Sequence, residues 1–132
     1  MPSNMRFMNP AAIAKPGGYS HVVEITGPGR IVYIAGQLGI KPDGTVAGDF
    51  RAQAVQAFEN LKAALAAVGA SFDDVVKLNN YLTDIKHLPM LREVRTGYLN
   101  RATPPASTTV AVPALARDGA LYEIDAIAVL PA

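Results

Sequence analysis

An α+β domain, one mixed sheet of six strands with two helices on one face, is the architecture this chain predicts, and three observations carry it. The first third is rich in β-branched and aromatic runs broken by turn formers. A long stretch of helical periodicity then follows, and a shorter one after it, each succeeded by strand patterning, in the order β-β-β-α-β-α-β-β. Finally, the chain has 132 residues, half of them apolar and only 17% charged. That is enough for one core and too little for two, so residues 1–132 are read as a single domain.

Residues 5–8 form a short edge strand, followed by a Pro/Gly loop from Asn9 to Gly18. Tyr19-Ser20-His21-Val22-Val23-Glu24-Ile25 reads as a strand ending at Gly27-Pro28-Gly29-Arg30, whose turn formers predict a hairpin. Arg30 to Gly36 is a central strand by its Ile, Val and Tyr content, and Lys41-Pro42-Asp43-Gly44 is a tight turn. From Asp49 the period changes: Phe50, Ala54, Ala57, Phe58, Leu61, Leu65 and Val68 recur at helical spacing, with Gly69 at the C-terminal cap.

Residues 75–82 return to strand, with Val76, Leu78 and Leu82 on one face and Asn80 in the remaining place on it. A polar side chain among buried ones needs hydrogen-bond partners, so Asn80 is expected to have them. A second helix runs from about Leu88 to Asn100, starting near Pro89, and the last strands cover roughly 107–112 and 121–129.

Several function classes are excluded by composition. Twelve Lys+Arg against eleven Asp+Glu, with no block of like charge, do not provide the clustered basic footprint of a nucleic-acid binder. The absence of cysteine removes disulfides, thiolate catalysis and Cys-based zinc sites, and two distant histidines, His21 and His87, do not make a metal site. No metal and no cofactor are expected. No apolar run is long enough to span a bilayer, and Met1 to Arg6 lacks a signal peptide's apolar core, so no membrane partner and a cytoplasmic location are expected. Strands such as Ile31–Ala35 and Ile124–Val129 carry more apolar surface than water tolerates, which predicts self-association.

The chemistry concentrates near the C-terminus. Thr103-Pro104-Pro105-Ala106-Ser107-Thr108-Thr109-Val110 leads into Leu121-Tyr122-Glu123-Ile124-Asp125-Ala126-Ile127-Ala128-Val129. A Ser/Thr cluster is thus set beside a carboxylate that alternation buries, the layout of a small-molecule site; Ser107 and Thr109 fall on the same side of their strand. A nucleophilic serine would need an adjacent base. Neither His21, close after Tyr19, nor His87, just before the second helix, lies in a motif that supplies one. Gly27-Pro28-Gly29 lacks the strand-to-helix context of a phosphate loop.

Gly18-Tyr19, Ile34-Ala35-Gly36-Gln37, Phe58-Glu59-Asn60-Leu61-Lys62, Asp74-Val75-Val76-Lys77, Pro105-Ala106 and Tyr122 to Ala128 occur in an order and spacing that resemble the RidA/YjgF family. These are the reactive intermediate deaminases, also described as L-PSP endoribonuclease-like proteins, and the likeness runs from about Tyr19 to Val129. It implies a chorismate-mutase-like fold and a homotrimer with three clefts between subunits. The resemblance makes Glu123 the residue that positions a water, Tyr19 a catalytic or contact residue, and Ser107, Thr109, Ala35 and Gly36 the substrate-binding positions.

One departure matters. In the deaminating branch the residue after Pro-Ala is an arginine that grips a substrate carboxylate through two parallel charge-assisted bonds. Here it is Ser107. Arg92, Arg95, Arg101 and Arg117 are the cations available to replace it, although each also reads as a solvated helix or loop charge. Ser107 argues against classical 2-iminoacid deamination, and two function classes follow: a cofactor-free trimeric hydrolase of a small imine, enamine or related carbonyl metabolite that need not carry a carboxylate, and a trimer that binds or senses a metabolite without turnover. A ribonuclease is a third reading, which the near-neutral charge weakens.

Overall fold

The computed structural model describes residues 4–132. Met1–Ser3, part of the N-terminal segment considered for a signal peptide, lie outside the described residues. The strands are β1 (Met5–Met8), β2 (Val22–Ile25), β3 (Gly29–Leu38), β4 (Val75–Leu82), β5 (Ala106–Ala111) and β6 (Tyr122–Pro131), and the helices are α1 (Phe50–Ala66) and α2 (Leu88–Arg95). Element order and the α+β class agree with the sequence reading.

Asp49 starts α1 by accepting the Ala52 amide at 2.9 Å, which satisfies one of the donors a helix start leaves open. The apolar stripe of α1, including Phe58, Leu61 and Leu65, is buried, and the chain leaves the helix through Gly69 at φ 75°. This stripe packs on one sheet face, where Leu78, Leu82, Tyr122, Ile124 and Ala126 complete the core. Phe58 stacks on Tyr98 at 4.8 Å between ring centroids, and Tyr122 lies behind it.

The main sheet runs β3-β6-β4-β5. β6 is antiparallel to both neighbours, whereas β4 and β5 are parallel and joined through α2, the crossover that parallel neighbours require. The two edges are therefore β3 and β5. β3 carries a bulge: Ile34 pairs with Ala126 and Gln37 with Ile124, so Ala35 and Gly36 together face Asp125 alone.

Several expectations need correction. The six strands do not form one sheet, because β1 and β2 make a separate antiparallel ribbon and the hairpin at Gly27–Arg30 is not a paired one. β2 is taken by β1 along its whole length and β3 by β6, while Pro28 between them has no N–H to extend a ladder. β2 begins at Val22, and Tyr19 lies in the loop before it. The second helix stops at Arg95 rather than Asn100. Thr96 Oγ1 turns back to donate to Glu93 O at 2.7 Å, and the following amides of Gly97 and Tyr98 bond three residues back, the tightened pattern of a helix end. In β4 it is Val75, not Val76, that is fully buried, since the register shifts between Val75 and Lys77.

Candidate functional site

Asn80 organises the β5 edge. It is 4% exposed, and the carbonyl of Thr108, which can only accept, draws its Nδ2 at 3.2 Å. The same Nδ2 donates to Ser107 Oγ at 3.1 Å, and Oδ1 accepts the Tyr122 hydroxyl at 2.7 Å. The amide orientation is thereby determined, and every one of its bonds has a partner of the right kind. Ser107 acts as the acceptor of its bond to Asn80, so its own hydroxyl proton is left for something else.

Around Ser107 lies a cleft of about 280 Å³, which Tyr19, Thr109, Leu88, Arg92 and Arg95 also line. β5 brings in Ser107 and Thr109 two residues apart on one face, as alternation requires. Tyr19 reaches the cleft because Ser20 is tied to the start of β5: its amide donates to Pro105 O at 3.1 Å and its hydroxyl to Pro104 O. α2 contributes the two arginines at i and i+3, neighbours on one helix face.

Arg95 is half-buried and donates to Gly17 O at 3.0 Å. It passes so close to Gly18 that a Cβ there would meet Arg95 Nη2 at 2.7 Å, and Gly18 also has φ 91°, so both space and backbone call for glycine. Burial, and then the adjacent Arg92 guanidinium, hold Arg95 below the usual guanidinium range. Burial pushes the Tyr122 hydroxyl well above its ordinary pKa, with Arg95 opposing the shift. Among the described residues the ion pairs are Arg6–Glu24, Arg51–Glu93 and Lys86–Asp84, and none engages Arg92 or Arg95. The floor and one wall of this cleft are thus cationic and hydrogen-bond-donating, suited to an anionic group of a small molecule.

Glu123, Ala35 and Gly36 are elsewhere. Glu123 pairs with Tyr81 in β4 and with Leu38 in β3, and Tyr81 pairs with Val110. Ser107 and Thr109 pair with Leu78 and Asn80, on the helix-bearing face, so Glu123 lies on the opposite face of the sheet. It is half-buried rather than buried, contrary to expectation, because that face has no helix over it. Its carboxylate lies against the β3 bulge, where a Cβ on Gly36 would come within 2.5 Å of Glu123 Oε2. The expectation of a Ser/Thr cluster beside this carboxylate is corrected accordingly: β4 stands between them, and the two groups lie on opposite faces of the sheet.

Residues 9–130 match the model of the Endoribonuclease L-PSP family. The chain belongs to that family. It is 44% identical to protein DfrA of Myxococcus xanthus over 115 residues, 86% of each chain, and 35% identical to the 2-iminobutanoate/2-iminopropanoate deaminase of Dermatophagoides farinae over 92% of each. Among solved structures it is similar to a conserved Rid-family protein of unknown function from Yersinia pestis, with TM-score 0.82, 34% identity, and coverage of 96% of this chain and 99% of the other. The RidA/YjgF resemblance and the RidA-type α+β fold are therefore borne out.

From sequence, Arg92 and Arg95 read chiefly as solvated helix charges; Arg92 is indeed exposed and Arg95 half-buried, and both line the cleft at Ser107. Their spacing of three on a short helix ahead of Pro104-Pro105-Ala106 was the available signal. Arg101 lies in an adjoining cleft, and Arg117 is held by Gly44 O at 2.6 Å, away from Ser107. His21 bonds Ala14 O and sets its ring edge-on to Tyr19, and His87 stacks on Phe50; neither lines the cleft at Ser107. Among the described residues no group of three His, Cys, Asp or Glu is placed to hold a metal ion, and no helix is long and apolar enough to cross a membrane.

Proposed function

We propose that this L-PSP family member hydrolyses a small imine or enamine that bears a carboxylate, in clefts formed between copies of the chain in a homotrimer. The carrying observation is the meeting of Arg92 and Arg95, without acidic partners among the described residues, with Tyr19, Ser107 and Thr109 in one cleft. These arginines take the part that the resemblance gives to an arginine at position 107. Arg95, fixed by Gly17 O, and Arg92 hold the carboxylate, while the free hydroxyl proton of Ser107 and the Tyr19 ring orient the rest.

Trimerisation supplies what one chain lacks. Glu123 and the Ala35–Gly36 bulge lie towards the β3 edge, and the arginine cleft at the β5 edge. A head-to-tail contact, which closes into a ring, sets the first half-site of one copy against the second half-site of the next. The exposed Ile31 and Tyr33 of β3 and Val110 of β5 are the apolar surface such a contact would cover. In the assembled cleft Glu123 takes a proton from a water as the water oxygen adds to the imine carbon, then returns that proton to the substrate nitrogen. The C–N bond of the carbinolamine breaks as its hydroxyl proton passes to the departing nitrogen, giving a carbonyl compound and ammonia.

Ammonia release from 2-iminobutyrate generated in the assay tests this reading, alongside mass in solution. Acceleration that is lost in both Arg95→Met and Glu123→Gln supports it; a stable monomer, or full activity in Glu123→Gln, rules it out. The placement of Glu123 on the other face from the arginines favours a second reading, binding of the carboxylate compound without turnover. Saturable binding of 2-oxobutyrate with no ammonia release would select it. A ribonuclease is not proposed, since the net charge is +1 and these arginines line a cleft rather than a backbone-tracking face.

A further inference from the structure

Resting on the carboxylate-binding role just proposed, we infer that the ligand of this site carries a second anionic group, a carboxylate on the side chain of the imine, and that Arg101 receives it. A second cleft, about 350 Å³, adjoins the first and shares Gly17, Arg92 and Arg95 with it. Thr96, Asn100 and Arg101 line it as well, and Leu99 supplies an apolar wall. Small-molecule pockets commonly measure about 300–1,000 Å³, so each cleft alone is at or near the lower bound while the two as one site lie well inside the range.

Charge points the same way. Three guanidiniums line this continuous region, and no Asp or Glu lines either cleft. Nor does any ion pair among the described residues engage Arg92, Arg95 or Arg101. One carboxylate, gripped by the Arg92–Arg95 pair, leaves Arg101 uncompensated. A dicarboxylate places one anion on the Arg92–Arg95 pair and one on Arg101, with the Asn100 side-chain amide, whose Oδ1 already accepts from the Ala102 amide, able to donate through Nδ2 between them. Arg101 is exposed, so its contribution is the kind that added salt screens.

The test uses stable keto acids in place of the imines. Binding of 2-oxobutyrate, 2-oxoglutarate and inorganic phosphate to the full chain is measured by calorimetry at low and at moderate salt. The expected result is that 2-oxoglutarate binds at least about tenfold more tightly than 2-oxobutyrate at low salt, a step of about 1.4 kcal/mol. The preference shrinks as salt is added, and Arg101→Gln cuts the ratio to within about threefold without lowering the melting temperature. Equal affinities for the two keto acids overturn the inference and leave the carboxylate-binding role standing. Phosphate bound as tightly as 2-oxoglutarate also overturns it, by assigning the cluster to a phosphoryl group. If neither keto acid binds, both this inference and the proposed function fall.

Discussion

Asn80 donates to the hydroxyl of Ser107 across 3.1 Å from inside the core, while its other end holds the hydroxyl of the fully buried Tyr122 at 2.7 Å. The edge of the candidate cleft is thus wired to the centre of the hydrophobic layer. Removing Asn80 strands the Tyr122 hydroxyl and the Thr108 carbonyl together. Asn80→Ala is expected to lower stability by about 2–4 kcal/mol, and Tyr122→Phe by only about 1–2, since it orphans one acceptor. Urea unfolding of the two single variants and the double variant measures this; additive losses would show that the two residues are not coupled.

Alkali should unfold this protein earlier than its composition suggests. Burial raises Tyr122 well above its ordinary pKa; burial and the Glu59 carboxylate push Tyr98 up to about 12; and the bond to Asp125, then burial, raises Tyr81. A phenol whose folded pKa is raised binds its proton more tightly in the native state. Its contribution is complete below about pH 10, the unfolded value, and is lost as pH rises towards the folded value. Each such tyrosine adds at most about 1.4 kcal/mol per pH unit to the downward slope. Stability measured from pH 9 to 12 should fall more shallowly in Tyr98→Phe than in the parent, and an unchanged slope would contradict the assignment.

How much of this could be read from sequence follows from how local each feature is. The α1 helix declared itself through seven periodic apolar residues from Phe50 to Val68 and the cap at Gly69, all within one segment. The need for partners at Asn80 was equally local, because β4 alternation placed it among buried neighbours. The division of six strands into two sheets was not, since β3 chooses between β2 and β6 by contacts about a hundred residues apart in the chain. Alternation set Ser107 and Thr109 on one side of their strand, as found, but buried Glu123, which is half-buried; it did not say how Glu123 and Ser107 face one another. Their opposite faces appear only when the parallel register of β4 and β5 is known, and no pattern within either strand encodes it. Arg92 and Arg95 were ambiguous for the same reason: what lies across from a short helix is set by tertiary packing.

Two glycines make opposite predictions. A Cβ on Gly39 would come within 2.5 Å of Gln53 Cα, backbone of the long helix that cannot step aside. Gly39→Ala is expected to cost about 2–3 kcal/mol, at the upper end for overpacking. A Cβ on Gly36 would meet the carboxylate end of Glu123, a side chain that can swing away. Gly36→Ala should therefore lose less than about 1 kcal/mol of stability but displace the carboxylate. Thermal melting with an ammonia-release assay separates the outcomes: the Gly36 variant stays folded with reduced turnover, and undiminished turnover would argue against a role for Glu123.

Restoring an arginine at position 107 tests whether α2 has replaced it. Ser107→Arg adds a third guanidinium beside Arg92 and Arg95, and it removes the hydroxyl that accepts from Asn80. Like charges at close range without an acid between them disfavour one another, so this variant alone should not tighten 2-oxobutyrate binding and should melt earlier than the parent. Arg95→Met keeps side-chain bulk over Gly18 and removes the charge; the loss of binding is expected to be on the order of a hundredfold, that of a charge-assisted pair in a partly buried cleft. Combined with Ser107→Arg, the same Arg95→Met change should recover at least about tenfold of that loss, because the incoming guanidinium then meets one fewer like charge and an unoccupied anion position. Tighter binding by Ser107→Arg alone would mean that the α2 arginines do not hold the carboxylate and that the strand position was left vacant rather than replaced.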